Sequence, residues 1–466
     1  KPSHFLVFIL FVITSVHATD PGVVLTIGGS VLESGISLQL PNILTSKVIN
    51  ASLPDIYKNQ DFIVARLEYN ITDIVISNFE IGEINVQIGN SGFEIDISSI
   101  LCDATFNWSY DEHTLLIVQV KGSGTGTFNF SDGEYKIDVK IKEDDGVPVV
   151  DLSKNNFQLN HADLELEDGP QWFYDVMEVF ITPIVKFQIQ KIVQDTVSTA
   201  VGVVNHKIAT VPTNYPLPGN IFFNWELLSD FDTSSDDGFG TFYLAGYFAP
   251  LSDISLTPPF IPPTLPTKVS NETFQLIISE YTFQSLGWAL FEAGSLNITV
   301  PFGTTNDWRI LLPSLYRSYP DDNIEVNFVS HIYPGFFLNS TGLTFAAAPV
   351  MVWNAITENG TETAFSLLIE LEAQVDLYVN DTTSTIHGSI GVPEFDMSLQ
   401  SSNIGQFSLF QLEAAINTAI YVIFLPTVNS VLREGIPIPQ IGGLTLENPI
   451  IEFEQDFMYI STQLSI

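Results

Sequence analysis

Thr257-Pro258-Pro259-Phe260-Ile261-Pro262-Pro263-Thr264-Leu265-Pro266 lies just past the middle of the 466-residue chain, and the sequence before it resembles the sequence after it. Its five prolines remove five backbone donors and fix five φ angles, which excludes helix and central strand. The stretch is a semi-rigid extended spacer between two arms. Each arm ends in the same way. A helix predicted over 172–204 carries Pro183, and a helix predicted over 410–433 carries Pro426. Paired prolines follow both, at Tyr215-Pro216-Leu217-Pro218 and Ile436-Pro437-Ile438-Pro439, and then strand-like runs over 221–227 and 450–460. A repeat of about half the chain is too long for a solenoid and suits two similar domains.

The two helices are amphipathic, and an ideal helical wheel makes each change face at its proline. In the first, Phe173, Val176, Met177, Phe180, Ile184 and Phe187 fall on one side, whereas Ile189, Ile192, Val193 and Thr196 fall on the opposite one. In the second, Leu412, Ala415, Ile416, Ala419, Ile420 and Ile423 share a face that gives way to Phe424, Val428, Val431 and Leu432. Each helix is thus expected to touch two surfaces. A further helix is expected over 31–49, interrupted near Pro41.

From Tyr69 the apolar period is two: Ile74 and Ile76, then Val86 and Ile88, then Phe93, Ile95 and Ile97, with turn chemistry at Gly89-Asn90-Ser91-Gly92. Strands follow over 114–120, 127–130 and 135–141, and Gly122-Ser123-Gly124-Thr125-Gly126 is expected to be a hairpin turn. Beyond the spacer, strands are predicted over 274–278, 295–300, 323–329, 365–379 and 385–397. Long antiparallel meanders with one wet face, each with a long helix, make an α+β fold.

Hydrophobic residues are 45% of the chain and its mean hydropathy is +0.24, yet no stretch beyond the first residues has the 18 consecutive apolar residues of a membrane span. An excess of apolar side chain must be hidden inside or covered by a ligand. Sixteen basic against 54 acidic residues, net −38, exclude nucleic acid and electrostatic capture by anionic membranes. A partner found by charge would be cationic. The apolar run Phe5 to Val16 after Lys1, ending at Val16-His17-Ala18, is expected to be a secretory signal over 1–18. Asn-x-Ser/Thr sequons at Asn50, Asn70, Asn107, Asn129, Asn271, Asn297, Asn339, Asn359 and Asn380 suit a secreted glycoprotein. Cys102 is the single cysteine, so no intrachain disulfide forms.

Five ordered motifs carry a family resemblance: Pro21-Gly22-Val23-Val24, Pro-Pro-Phe-x-Pro-Pro over 258–263, Gly342-Leu343-Thr344-Phe345, Ser402-Asn403-Ile404-Gly405, and Leu425-Pro426-x-Val428-Asn429-x-x-Leu432-x-x-Gly435-x-Pro437-x-Pro439. The sequence resembles the family of bactericidal permeability-increasing protein, lipopolysaccharide-binding protein and cholesteryl ester transfer protein. The resemblance implies two similar barrel-like domains of twisted antiparallel sheet, each with a long helix, joined by a central sheet into an elongated boomerang. It also implies apolar pockets that hold phospholipid or related acyl lipid. The implied divisions are a signal at 1–18, an N-terminal lipid-binding domain at 19–246, a linker at 247–268 and a C-terminal lipid-binding domain at 269–466. Phe173, Met177, Phe180, Ile184 and Phe187 are expected to line the first pocket, and Ile416, Ala419, Ile420 and Ile423 the second. The same residues packing protein core is the alternative.

The chain departs from the family in two places. The cysteine pair that ties the long helix to a strand is missing. The segment matching the basic tip of the lipopolysaccharide-binding members, Asn107-Trp108-Ser109-Tyr110-Asp111-Glu112-His113, keeps an aromatic residue but has acidic and neutral groups in place of the cationic cluster. No catalytic, metal or cofactor constellation emerges. His113, His161, His206, His331 and His387 are scattered, and the acidic stretch Asp230 to Gly238 lacks a calcium loop's glycine at its sixth position and acid at its twelfth. The expected function is that of a secreted, non-enzymatic lipid-binding or lipid-transfer protein with transient contact to a membrane or lipid-particle surface. The alternatives are an innate-defence protein that inserts into bacterial lipopolysaccharide or envelope lipid, and an extracellular structural protein whose pockets are filled core.

Overall fold

The structure, a computed structural model, describes residues 20–61, 65–89, 91–114, 119–167, 169–234, 238–380, 383–391, 393–438 and 445–465. The expected signal segment at 1–18 lies outside the described residues, as do Asn90, Pro439 and part of the acidic loop. The chain forms two compact units. One, the N-terminal unit, comprises 27–211 and 230–240. The other, the C-terminal unit, comprises 20–26, 212–229 and 241–465. Residues 20–26, 212–229 and 241–246 therefore group with the C-terminal strands, because β1 (Val23–Gly28) pairs into a sheet with strands from beyond the spacer.

In the N-terminal unit, helix α1 (Gly29–Val48) precedes β2 (Ile56–Asp61), β3 (Ala65–Glu80), β4 (Ile84–Gly89), β5 (Gly92–Thr114), β6 (Gln119–Asp144), β7 (Val147–Gln158) and β8 (His161–Leu166). Among the described residues these make one antiparallel sheet in the order β2-β3-β5-β6-β7, with β4 on β5 and β8 on β6. Helix α1 continues through Pro41 instead of breaking there. The composite helix α2 follows: Gln171–Val176, the wide turn Met177–Ile181, and Thr182–Ile208.

In the C-terminal unit, β9 (Asn214–Leu217), β10 (Ile221–Asn224), β11 (Phe239–Leu244) and β12 (Tyr247–Pro250) precede the spacer, which is neither helix nor strand. After it come β13 (Phe274–Ser279), helix α3 (Glu280–Glu292), β14 (Ile298–Thr304), the short helix α4 (Pro313–Ser318), β15 (Asn323–Val329), β16 (Gly335–Asn339), β17 (Gly342–Ala347), β18 (Val350–Thr357), β19 (Gly360–Asn380), β20 (Thr385–Ile390) and β21 (Glu394–Ser402). Composite helix α5 joins Glu413–Ala419, Ile420–Phe424 and Leu425–Glu434, and β22 (Ile436–Pro437), β23 (Thr445–Phe453) and β24 (Phe457–Ser465) end the chain. One sheet runs β11-β1-β13-β24-β23, a smaller one β12-β10-β9, and the largest β14-β15-β18-β19-β17-β16 with β20 and β21 also on β19. Helix α3 is buried from Tyr281 to Leu290 except at the half-buried Gln284, and it is not among the expected helices. Helix α5 is long and apolar enough by composition to cross a membrane, and half of its most apolar window is buried by protein.

The glycines of 122–126 overturn the expected hairpin turn: they lie inside β6. Gly122, Gly124 and Gly126 stand opposite Tyr110, Trp108 and Phe106 of β5. A Cβ at these positions would come within 2.5 Å of the Tyr110 ring, 2.8 Å of Trp108 and 2.5 Å of Phe106. Three alternate glycines seat three alternate aromatic rings, a requirement no turn rule anticipates.

Candidate functional site

The three seated aromatics anchor the start of α2. Trp108 Nε1 donates to the Thr125 carbonyl at 3.0 Å, and the Trp108 and Tyr110 rings each lie 5.0 Å from that of Phe173. Tyr110 also meets Trp172 edge-on at 4.9 Å. The segment matched to the family's basic tip is thus a strand here, with Trp108 and Tyr110 turned inward and Asn107 and His113 exposed. Its Trp108 is buried, and its Asp111 is paired with Lys121 at 2.8 Å.

From Phe173, every fourth residue of α2 is buried: Met177, Ile181, Val185, Ile189, Val193 and Val197. All belong to one core cluster of the unit, so the expected switch to an opposite face does not occur. On a straight α-helix such a ladder winds by about 40° per rung, because four residues turn about 400°. The turn at Met177–Ile181 takes back about one residue of that winding. It is closed by Thr182 N–H donating to the Met177 carbonyl, five residues back, immediately before Pro183, whose ring and missing N–H disfavour a regular turn.

Helix α5 repeats the device. Leu425 N–H donates to the Ile420 carbonyl, five residues back, immediately before Pro426. Leu412, Ile416, Ile420, Phe424, Val428 and Leu432 are buried in a matching ladder. Superimposing the two wide turns places Phe173 on Ile416, Val185 on Val428 and Ile189 on Leu432.

These ladders divide the expected pocket residues. Phe173 and Met177 are fully buried in protein core. Phe180 and Phe187 are not, being 45% and 65% exposed, and Ile184 is half-buried. Phe180 and Ile184 form, with Val176, a second stripe beside the buried ladder. The wheel merged the two stripes because it lacked the wide turn. In α5, Ile416, Ala419 and Ile420 are core, and only Ile423 is half-buried. The expected second lining is therefore mostly closed by protein.

Elsewhere in the unit, Leu32, Ile36 and Leu40 of α1, Val150 and Leu152 of β7, and Ile192 of α2 are partly accessible and pack against the same core. Helix α1 lies on both α2 and β4. Phe187 stands apart in a groove of about 380 Å³ between β7 and α2, beside Lys186, Lys191 and Gln190. The α2 end of this arrangement is fixed by Asn205, whose Nδ2 donates to the Val150 carbonyl at 2.8 Å and whose Oδ1 accepts from Val150 N–H at 2.9 Å. Asn429 makes the same clip from α5 to Ile390, with its Oδ1 accepting at 2.7 Å.

Among the described residues no three His, Cys, Asp or Glu side chains gather as metal ligands. Cys102 is buried in β5, and burial, with Asp103 beside it, pushes its thiol pKa up to about 12. The sequons Asn50, Asn70, Asn107, Asn271, Asn297 and Asn359 are exposed, whereas Asn129, Asn339 and Asn380 are half-buried in or at the ends of strands.

Fold and site together define an internally duplicated α+β scaffold, each half a twisted antiparallel sheet with a long proline-interrupted helix sunk into it. The chain belongs to the LBP / BPI / CETP family: the family's N-terminal domain model matches residues 26–210 and its C-terminal domain model matches 243–466. It is similar to a BPI/LBP family protein of Arabidopsis thaliana (23% identical, covering 90% of this chain and 88% of that one). It is also similar to the lipopolysaccharide-binding protein of Bos taurus (23% identical, covering 99% and 97%). A crystal structure of lipopolysaccharide binding protein superimposes with a TM-score of 0.61 at 18% identity, covering 96% of this chain and 99% of that one, which shows the common fold.

Proposed function

We propose that this chain is a secreted, non-enzymatic lipid carrier that holds acyl chains on the accessible flank of α2. The observation that carries the reading is the second stripe, Val176, Phe180 and Ile184, left open beside a ladder that is otherwise closed. A helix of a globular unit normally buries such a stripe; here Phe180 is exposed and Val176 and Ile184 are only half-buried. Family membership, with relatives named for binding lipopolysaccharide, supports the same class of ligand. Each methylene moved from water onto this flank contributes about 0.8 kcal/mol, so an acyl chain supplies ample driving force without cationic groups. Insertion rather than charge capture is the mode proposed, because residues 107–113 contain no lysine or arginine and Lys121 beside them is paired with Asp111.

Native mass spectrometry of the purified chain, followed by solvent extraction, tests the proposal. Bound phospholipid is expected, with occupancy lost in Phe180→Asp and little affected by salt. A folded Phe180→Asp protein with unchanged lipid content would remove this flank from the site. A lipid-free chain that also refuses labelled phospholipid would leave only the filled-core reading.

A further inference from the structure

The outer face of the largest sheet in the C-terminal unit carries a trough of about 590 Å³. Its floor is made of small residues, Gly335 of β16 and Ala346 to Ala348 at the end of β17, and its apolar wall of Ile332, Tyr333 and Phe337. The Phe337 ring leans over Gly335, where a Cβ would meet it at 2.6 Å. All three wall residues are large and exposed.

The opposite wall is acidic. In the β19–β21 register Glu370 faces Asp396 and Glu372 faces Glu394, so two like-charged pairs stand directly across from each other on one face. Side chains in such positions are about 5 Å apart at Cβ, and like charges there destabilise the sheet. All four carboxylates are exposed, and none has an ion-pair partner among the described residues. No lysine or arginine lines the trough. A sheet that keeps two repelling pairs beside an open apolar wall is complementary to something that is both cationic and apolar.

We propose that this trough docks an extended basic segment of a partner protein, carrying two Lys or Arg residues and one aromatic residue on a single face. The dimensions suit such a segment. From β21 across β19 and β17 to β16 the trough spans three interstrand steps, about 14 Å. Residues i, i+2 and i+4 of an extended chain share one face and span about 13 Å. A segment lying across the strands places its first basic residue between Glu394 and Asp396, its second between Glu370 and Glu372, and its aromatic ring on Gly335 and Ala346. Each cation relieves repulsion already present in the free protein.

Fluorescence anisotropy of the full chain with a labelled Arg-Ser-Arg-Ser-Phe peptide tests this. Binding is expected, weakening steeply between about 50 and about 500 mM salt. Glu372→Gln with Glu394→Gln should weaken it about fivefold, the sum of two exposed ion pairs. Ala346→Trp should weaken it without changing charge, by filling the floor. Asp144→Asn with Asp145→Asn removes the same charge from the other unit and should leave binding unchanged. Equal weakening by both acidic pairs would reduce the effect to net charge and overturn the proposal, as would a neutral Ala346→Trp or full displacement of the peptide by millimolar calcium alone. Circular dichroism of each variant verifies that the sheet is intact, and lipid occupancy, which depends on the other unit, should not move.

Discussion

Replacing Gly124 with Ala adds one methyl group at the point where the N-terminal sheet holds the root of its long helix. The new Cβ would sit 2.7 Å from the Glu167 carbonyl oxygen and 2.8 Å from the Trp108 ring. The carbonyl belongs to backbone and cannot swing aside, so the indole must move. Overpacking of this kind costs about 1–3 kcal/mol. Displacing the indole also weakens its hydrogen bond to Thr125, about 1 kcal/mol more. Against this, removing a glycine from a strand returns about 0.5–1 kcal/mol of chain entropy. The net expectation is a loss of about 1–3 kcal/mol. Gly202 of α2 is the internal control: a Cβ there meets nothing within 4 Å, so Gly202→Ala should gain about 1 kcal/mol. Two units need not unfold together, so the measurement is hydrogen exchange of the β5 and β6 amides, with tryptophan fluorescence in urea alongside. If Gly124→Ala exchanges like the parent, or shifts in the same direction as Gly202→Ala, the seating of Trp108 is not what these glycines are for.

The asparagine clips give a second comparison. Asn429→Ala leaves the Ile390 N–H without its partner in a buried setting and should cost about 2 kcal/mol, whereas Asn205→Ala, at a part-buried site, should cost about 1; urea midpoints read both, and a neutral Asn429→Ala would contradict the clip. The Cys102 thiol should resist a thiol reagent in the native protein and react at once in denaturant, and rapid native labelling at neutral pH would contradict its burial. The same group makes stability fall with rising pH. The unfolded chain releases this proton near the ordinary value of 9.0 while the native chain keeps it to about 12, so the unfolded state binds fewer protons between them and gains ground.

What the sequence made legible was whatever depends on period and punctuation. Alternation from Ile74 onward revealed the sheet, and Pro183 and Pro426 marked irregular points in two long helices, whereas the proline spacer lies inside the C-terminal unit and not where one unit passes to the other. What it concealed depends on partners distant in sequence. Gly122, Gly124 and Gly126 have the composition of a turn, and only the rings of Phe106, Trp108 and Tyr110 across the ladder explain them. Helix α3 is buried nearly all round, which leaves little polar face to set against its apolar one. The candidate site lies between these cases. A wheel of 3.6 residues per turn grouped Phe180 and Phe187 with Phe173 and Met177, and one wide turn was enough to separate them. The like-charged pairs of β19 and β21 were invisible because register is not written in either strand alone.

The wide turns at Met177–Ile181 and Ile420–Phe424 bear on the history of the chain. Each amounts to one extra residue in a helix, followed by a proline, at the same rung of the same ladder. An insertion of one residue in an established core helix would rotate every later side chain out of the sheet, so two independent insertions at equivalent rungs would each have had to survive that rotation. A single ancestral helix that already contained the turn, copied when one half became two, requires it once. The irregularity is then older than the two-unit protein, and it is a better marker of common descent between the halves than any identity between their residues.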